Sequence, residues 1–420
     1  MNSYKGKKLL ILAGNHVHGK LVQAARAMGV YTIVTDYLPP EESPAKLMAD
    51  EYWMLSTGDI DAVVEKCRQE KVDGVLSYAI DTVQFHYQAI CEKLGVPCYG
   101  THRQCEIMTN KRLFKDFCQA HGVGVIPEYT LEDVKAGKAC YPVLVKPVDG
   151  RGSRGQSICH TAEEVIAAVE YARTESRDGG FLIERYMTAE HDMAFAYIVV
   201  GGEPYLIKIG DRYLGKAEDG LEKQQMATLL PSRFAEQYIR TADPKVKAMI
   251  KALGLSFGPV FIQGFFDGGH IYMYDPGLRF PGTDFDIVLK EATGFDTMTT
   301  FVQFALSGDV NSAAGKLDGN VYAYGGKTCL ILSVSVRPGT IASITGMDEI
   351  ARHEGVLSAS YWHHPGDTVP ATGDIRQRVV EFCCLLPDRA SAKDFVSYVY
   401  STLRILDADG RDMIVSRVTF

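Results

Sequence analysis

The sequence lacks the spacings and runs that would place it in several common classes of protein. Its ten cysteines are scattered and no two are spaced like CxxC, so neither a disulfide framework nor a zinc site is predicted. No apolar run reaches the roughly 18 residues that a membrane-spanning helix needs. The opening MNSYKGKKLLILAGN is not followed by a small-residue cleavage site. A cytoplasmic protein without a membrane partner is the expectation.

Long runs of basic residues are also absent, and the formal net charge is -8 at pH 7. This balance argues against a nucleic-acid-binding surface, whereas a small anionic ligand needs only a local cluster of donors. The chain is otherwise ordinary for a soluble globular protein, with 420 residues, 46% hydrophobic and 23% charged. This length suits two or three packed domains.

The first predicted domain, residues 1–105, is of the open α/β class. Continuously apolar strands such as KKLLILAG and VYTIVTD alternate with helical segments, which is typical of a parallel sheet covered on both faces. The ligand crevice of such a sheet lies at the carboxyl ends of its strands. We therefore expect a substrate-selecting crevice near Gly14, Asn15, His16 and Asp36.

The pattern changes near residue 106. Short strand pairs with glycine turns, YPVLVKPV with QSICH and FLIERYM with MAFAYIVVGG, predict an α+β domain over residues 106–315. A mixed tail over residues 316–420 predicts a small carboxy-terminal lobe packed on that domain.

The segment VLVKPVDGRGSRG has the composition of a phosphate-binding loop. It puts Lys146 at the end of an apolar strand, before a loop that contains Gly150, Gly152 and Gly155. Glycines allow backbone amides to approach phosphate oxygens, and a strand lysine adds a fixed positive charge. The alternative is a plain turn with exposed arginines, and the segment is not a P-loop because it lacks GK[ST] before a helix.

A second apolar strand, FLIER, ends beside an acid. Glu184 is followed by Met187 and Asp192. An acid at a strand end can accept hydrogen bonds from an adenine amino group or from ribose hydroxyls, and a methionine supplies an adaptable apolar wall. The alternative is a solvated acidic turn after a core strand.

In combination and in this order, these segments resemble the ATP-grasp superfamily. The resemblance runs from about residue 8 to about residue 295. It rests on the stretches TNKRLFKDFCQAHGVGVIPEY, YPVLVKPVDGRGSRG, FLIERYM, LGLSFGPVFIQGFF and DPGLRFPGTDFDIVLKEATGFD. It implies an ATP-grasp fold of the α/β plus α+β class, in which an open parallel α/β domain precedes the nucleotide-binding domain.

The resemblance also implies which residues contact ATP. These are Lys111, Lys146, Gly150, Arg151, Gly152, Ser153, Gly155, Glu184, Met187 and Asp192. The two lysines would contact phosphates, and the glycine loop would close over the terminal phosphate. Glu184 and the backbone near Met187 would face the adenine, and Asp192 the ribose.

The strand pair QGFFDGGHIYMYDPGLR departs from the metal-binding pattern of the family. Family members usually carry a glutamate on the first strand and E-x-N-x-R on the second. Here the two acid positions, twelve residues apart, hold Gln263 and Asp275, and Gly277 replaces the asparagine. Because Mg²⁺ takes oxygen ligands, and one or two carboxylates suffice beside phosphates, Gln263 and Asp275 are the implied magnesium ligands.

The arginine of the pattern is retained as Arg279. The resemblance implies that Arg279 and Lys146 are catalytic, because a cation beside the terminal phosphate can neutralise charge on the transferring phosphoryl group. The alternative for Arg279 is a salt bridge to Asp275 that only fixes the loop.

The tail contains His363, His364 and Asp367 near a turn. Adjacent histidines on a strand point in different directions, so a shared metal site is not predicted. The stretches RPGTIASITG and HPGDTV resemble the carboxy-terminal lobe of L-amino-acid ligases.

The activity implied by the resemblance is that of an ATP- and Mg²⁺-dependent carboxylate–amine ligase acting through an acyl phosphate. Its partners would be a small carboxylate and an amine, and a homodimer is the expected assembly. L-amino-acid ligases, glycinamide-ribonucleotide synthetases and carbamoyl-phosphate synthetases share these motifs, and the sequence does not select among them. Gln263 and Gly277 leave open an alternative, a silent ATP-binding sensor or partner subunit.

Overall fold

The computed structural model describes residues 4–150, 155–187, 191–222, 224–317 and 319–420. Arg151, Gly152 and Ser153 of the predicted phosphate loop lie outside these residues. Within the described ranges, the three largest sheets contain four, three and eight strands.

The amino-terminal sheet is parallel, with strand order β3-β2-β1-β4. Its strands are β1 (Lys8–Leu12), β2 (Tyr31–Thr35), β3 (Glu51–Trp53) and β4 (Gly74–Leu76). The helices of this part are α1 (His16–Ala27), α2 (Ala45–Met48), α3 (Ile60–Glu70), α4 (Gln84–Leu94) and α5 (His102–Ile107). Leu9, Leu10, Ile11 and Leu12 are fully buried, which explains the unbroken apolar run of β1. The predicted open parallel α/β architecture is confirmed.

A small antiparallel sheet follows, with order β6-β5-β7. Its strands are β5 (Val143–Pro147), β6 (Ser157–Cys159) and β7 (Phe181–Arg185), and its neighbouring helices are α6 (Lys111–Ala120), α7 (Leu131–Lys135) and α8 (Ala162–Thr174). The expected pairing of β7 with the following strand is wrong, because β7 pairs with β5 instead. Val145, Ile183 and Val165 belong to one separate apolar core that this pairing closes.

The third sheet has the order β12-β11-β8-β9-β10-β13-β18-β16. Its strands are β8 (Asp192–Val200), β9 (Glu203–Leu214), β10 (Gln225–Leu230), β11 (Phe257–Asp267), β12 (His270–Gly277), β13 (Thr328–Ser335), β16 (Val356–Tyr361) and β18 (Arg378–Leu386). Strands from the tail therefore continue the sheet of the preceding part by direct antiparallel pairing of β10 with β13.

The remaining elements surround this sheet or form short strand pairs. The helices are α9 (Ala235–Thr241), α10 (Asp243–Leu253), α11 (Phe285–Thr293), α12 (Thr297–Ser307), α13 (Met347–Ala351) and α14 (Arg389–Thr402). The short strands are β14 (Gly339–Thr340), β15 (Ser343–Thr345), β17 (Thr368–Val369) and β19 (Arg404–Leu406). Even α14, at 14 residues, is only about 21 Å long, and among the described residues no helix is both long and apolar enough to cross a bilayer.

Candidate functional site

A cavity of about 490 Å³ lies between the small sheet and strands β8, β9, β11 and β12 of the large sheet. Its volume is in the range of sites for small organic ligands. Seven residues predicted from the sequence line it: Lys111, Lys146, Gly150, Met187, Asp192, Gln263 and Asp275. The other lining residues are Asp81, Thr109, Ile126, Leu144, Gln156, Ile158, Arg185, Tyr186, Arg212, Leu214, Glu222, Phe265, Tyr274 and Pro276.

Two lysines converge on Glu184, which is buried behind the cavity wall. Lys146 Nζ lies 2.6 Å from Glu184 Oε2, and Lys115 Nζ lies 2.7 Å from Oε1. Burial alone would raise the pKa of Glu184, but the two ammonium groups outweigh it and hold the pKa below its usual value. Both carboxylate oxygens are thus paired with lysines. The residues at this strand end that line the cavity are Arg185, Tyr186 and Met187. The predicted contact of Glu184 with adenine remains a prediction, and its observed contacts are those of a group that positions lysines.

Lys111 joins the glycine loop to the strand pair that carries Asp275. It is the first residue of α6, where the Asn110 side chain caps the helix. Its Nζ donates to the carbonyl oxygen of Gly150 at 2.9 Å and lies 3.2 Å from Asp275 Oδ1. A cation is therefore fixed between the two segments that were predicted to meet at the phosphates.

Gln263 and Asp275 lie directly opposite each other on β11 and β12. They offer one carboxylate and one amide oxygen, and no group of three or more His, Cys, Asp and Glu residues able to hold a metal occurs in the described part of the chain. Such a donor set fits one Mg²⁺ ion that takes its remaining ligands from phosphates and water. Two ions held by protein carboxylates would need acids that this strand pair does not supply.

Arg279 pairs with the amino-terminal domain. Its Nε donates to Asp81 Oδ1 at 2.6 Å, so the alternative of a salt bridge to Asp275 is wrong. The guanidinium also lies over the Phe261 ring, 4.7 Å from its centroid. Arg279 contacts Asp81 because the segment that follows β4 lies beside the turn that follows β12. Asp81 itself lines the cavity, whereas Arg279 stands behind it.

The same ion pair accounts for the glycine at position 277. A Cβ atom built on Gly277 would lie 3.1 Å from Asp81 Oδ1 and 3.3 Å from Arg279 Cγ, which is closer than ordinary contact. An asparagine side chain here would compete with the pair for space. Position 277 therefore holds a glycine rather than an asparagine because the ion pair of Asp81 and Arg279 fills the space beside it.

A polar network that sequence reasoning missed crosses the floor of the cavity. Arg212 Nη1 lies 2.6 Å from Asp192 Oδ2 and donates to Tyr274 Oη at 3.0 Å. Tyr274 Oη lies 2.9 Å from Gln263 Oε1 and 3.2 Å from Asp192 Oδ1. Asp192 is thus held from two sides, and its predicted contact with ribose remains a prediction. No sequence spacing pointed to Arg212 or Tyr274.

Three residues of the predicted amino-terminal crevice, Gly14, Asn15 and Asp36, are engaged in local hydrogen bonds. The Asn15 side chain caps α1 by accepting from the amides of Val17 and His18. Asp36 accepts from the Gly14 amide and from other local donors. His16 remains half exposed, 4.0 Å from Asp284 and with its ring centroid 6.1 Å from that of Trp362. It therefore lies where the amino-terminal and carboxy-terminal parts meet.

The histidine pair of the tail makes local contacts. His363 Nε2 lies 2.9 Å from the carbonyl oxygen of Arg376, and the His364 amide donates to Asp367 Oδ2 at 2.7 Å. The His363 ring and the Asp367 carboxylate therefore stabilise a turn.

Two family models match parts of the chain. The Carbamoyl-phosphate synthase L chain, ATP binding domain, matches residues 111–202, and the L-amino acid ligase C-terminal domain 2 matches residues 333–406. A curated relative, the 2-oxoglutarate carboxylase small subunit of Hydrogenobacter thermophilus, is 26% identical over 230 residues. That alignment covers 49% of this chain and 48% of the relative, so the match spans about half of its length.

Solved structures of low sequence identity share the fold over nearly the whole chain. The L-amino acid ligase from Bacillus licheniformis has a TM-score of 0.77 at 19% identity, covering 96% of this chain and 99% of that one. Phosphoribosylglycinamide synthetase from Anaerococcus prevotii has a TM-score of 0.75 at 17% identity, covering 95% and 99%. With the architecture described above, these structures show that the chain has an ATP-grasp fold, and its residues 111–202 and 333–406 are similar to the domains of the two family models.

Proposed function

We propose that the protein is an ATP-dependent carboxylate–amine ligase. A carboxylate oxygen of one substrate attacks the γ-phosphorus of ATP, the bond to ADP breaks, and an acyl phosphate forms. The amine nitrogen of the second substrate then attacks the acyl carbon, inorganic phosphate leaves, and the nitrogen loses a proton. The observation that carries the proposal is the grouping of Lys111, Lys146 and Asp275 around one cavity of ligand size.

The role of the protein in such a reaction is mainly to position groups and to neutralise charge. Lys111 and Lys146 hold the phosphate chain. Arg279 would stabilise the developing charge once it is released from its ion pair with Asp81. Asp275 and Gln263 would hold Mg²⁺, which on binding supplies further positive charge to the phosphates. The glycine loop, part of which lies outside the described residues, would cover the terminal phosphate.

The substrate class is a small carboxylate and a small amine. The match of residues 333–406 to an L-amino acid ligase domain favours amino acids as the first compounds to test. Relatives of the glycinamide-ribonucleotide-synthetase and carbamoyl-phosphate-synthetase types use the same nucleotide motifs, so the assay must include other carboxylates and amines.

The direct test is phosphate release by the purified protein with ATP, Mg²⁺ and pools of amino acids and other carboxylates and amines. We expect release that needs both a carboxylate and an amine, with ADP, phosphate and the amide formed in equal amounts. Hydroxylamine in place of the amine is expected to trap the acyl phosphate as a hydroxamate. Binding of ATP without release in any pool would contradict the proposed reaction.

A silent ATP-binding protein is the second candidate, and the amide at Gln263 favours it. Gln263→Glu separates the two. In an active enzyme we expect turnover to fall about tenfold or more, because the new carboxylate would lie beside Tyr274 and near Asp192 and Asp275, where it repels phosphate. In a silent protein, which has no turnover to lose, the same change is expected only to tighten Mg²⁺ binding. Gln119→Glu, an exposed change on α6, is the matched control.

A further inference from the structure

Two neighbouring side chains of the carboxy-terminal part bury hydrogen-bond donors that have no acceptor. Arg378, the first residue of β18, is only 3% exposed, and its guanidinium carbon lies 3.5 Å from the centroid of the Trp362 ring. Its Nη1 is paired with Glu381, whereas Nε and Nη2 have no hydrogen-bond partner among the described residues. Trp362 Nε1 is also buried and has no partner in the described part of the chain. Three donor atoms on two stacked side chains thus lack an acceptor.

The chemistry of these donors suits a carboxylate. Nε and Nη2 form one edge of the planar guanidinium, so both can donate to the two oxygens of a single carboxylate. A buried donor without an acceptor costs free energy, and a hydrogen bond to a charged ligand oxygen would remove that cost. The guanidinium is also held in place, because Glu381, its partner at Nη1, accepts from Ser333 Oγ at 2.9 Å.

The donors lie on the face of the large sheet that carries the cavity. Arg212, which lines the cavity, pairs with Thr228, and Thr228 pairs with Ile331. Residues directly opposite each other share a face, and so does Ser333, two residues beyond Ile331. Ser333 contacts Glu381 on β18, three strand spacings or about 14 Å from β9. A carboxylate held there lies outside the cavity, so it is not the group that is phosphorylated.

Trp362 lies between the unpaired guanidinium and the surface. It follows β16 and precedes a turn in which residues 364–368 are exposed. On the amino-terminal side, the His16 side chain is 49% exposed, and its ring centroid lies 6.1 Å from that of Trp362. A ligand that enters where the amino-terminal and carboxy-terminal parts meet would therefore displace Trp362 before it contacts Arg378.

We propose that Arg378 and Trp362 form a carboxylate-binding site, and that the amine substrate is an amino acid whose own carboxylate is held there. Nε and Nη2 of Arg378 donate to the two carboxylate oxygens, and the indole N–H of Trp362 supplies a third hydrogen bond. The amino group of this substrate remains free to attack the acyl phosphate, and the product keeps a free carboxylate. This inference rests on the proposed function, to which it adds the residues that select the amine.

The test uses Trp362 as its own reporter of binding. The chain contains two tryptophans, so Trp53→Phe leaves Trp362 as the only one. The probes are L-amino acids other than tryptophan, the corresponding amino acid amides and inorganic phosphate. We expect a saturable change in Trp362 emission with at least one amino acid. The Kd of its amide, which lacks the carboxylate, is expected to be at least about tenfold higher.

Two variants of the single-tryptophan protein identify the site. Arg378→Lys keeps the charge beside Glu381 but removes the two-donor edge, and it should weaken binding of the amino acid at least about tenfold. The double change Arg378→Met with Glu381→Gln removes both buried charges together and should abolish the response. Arg352→Lys, at an exposed position, is the matched control. In the ligase assay, the two variants should raise KM for the amino acid that supplies the amine and leave KM for ATP unchanged.

The outcomes separate this inference from the proposed function. Wild-type affinity for the amino acid in both folded variants would overturn the inference alone. An absence of any emission change, or tighter binding of inorganic phosphate than of every amino acid, would also overturn it. Binding of an amino acid that depends on Arg378, without phosphate release in any substrate pool, would contradict the proposed function and leave the carboxylate site standing.

Discussion

Replacement of Lys146 by alanine is expected to lower ATP-dependent phosphate release at least about 100-fold, the usual cost of removing one preorganised electrostatic contact to a transition state. The geometry gives the reason. Lys146 lines the cavity from β5, and Glu184 holds its ammonium group at 2.6 Å in a buried position. Lys115, the other lysine on Glu184, does not line the cavity. Steady-state release of phosphate, with saturating ATP and the best substrate pair, measures the effect.

Two controls separate a catalytic loss from an unfolded protein. Lys138→Ala removes an exposed lysine with a side chain that is 72% exposed, and it should leave the rate unchanged. A second control changes Lys146 to Met and Glu184 to Gln together, so neither member of this buried ion pair remains as a lone charge. Lys115 loses one of its partners in this variant. A folded Lys146→Ala protein that retains more than about a tenth of the wild-type rate would contradict the assignment of Lys146 as catalytic.

The second large effect concerns stability as a function of pH. His18, the third residue of α1, is fully buried, and its Nδ1 lies 2.6 Å from Asn15 Oδ1. Its Nε2 is also buried and has no hydrogen-bond partner among the described residues. Burial lowers the pKa of His18 to about 4, although nearby Asp36 opposes the shift. The imidazole is therefore neutral in the folded protein, with its proton on Nδ1.

The direction of the effect follows from proton binding. In the unfolded chain, His18 binds a proton below its ordinary pKa near 6.5. In the folded chain, it binds a proton only below about pH 4. The contribution of neutral His18 to the free energy of unfolding is therefore fully present above about pH 6.5, and it is lost as the pH decreases toward 4. Between pH 7.5 and pH 5 we expect a loss of about 2 kcal/mol in the free energy of unfolding of the region that contains α1.

The measurement compares urea unfolding of the wild-type protein and His18→Gln at pH 7.5 and pH 5. Glutamine can donate to Asn15 but does not titrate, so the variant should lose much less stability over this range. His160→Gln, at an exposed position, is the control. Above pH 5 the buried carboxylates with lowered pKa, such as Glu184 and Asp284, remain ionised and do not contribute to the difference. Equal pH dependence in all three proteins would show that His18 is not the group responsible.

The sequence was most informative where chemistry depends on local spacing. The parallel order of the first strands, the strand lysine before a glycine loop and the twelve-residue spacing of Gln263 and Asp275 are all properties of short segments. A strand with both faces covered must be apolar throughout, and a two-stranded hairpin fixes which residues face each other. For these reasons the fold class, and the residues gathered around the cavity, could be anticipated.

Contacts between distant segments could not be anticipated in this way. Arg279 meets Asp81 across 198 positions of the chain, and β7 pairs with β5 rather than with the strand that follows it. A bulge of one residue turns Tyr274 toward Arg212, whereas an unbroken alternation would predict the opposite face. Spacing along the chain determined the elements and the chemical groups that each presents. Only the tertiary structure decided which groups meet, because sheet order and register bring together residues whose separation in sequence carries no information about their distance.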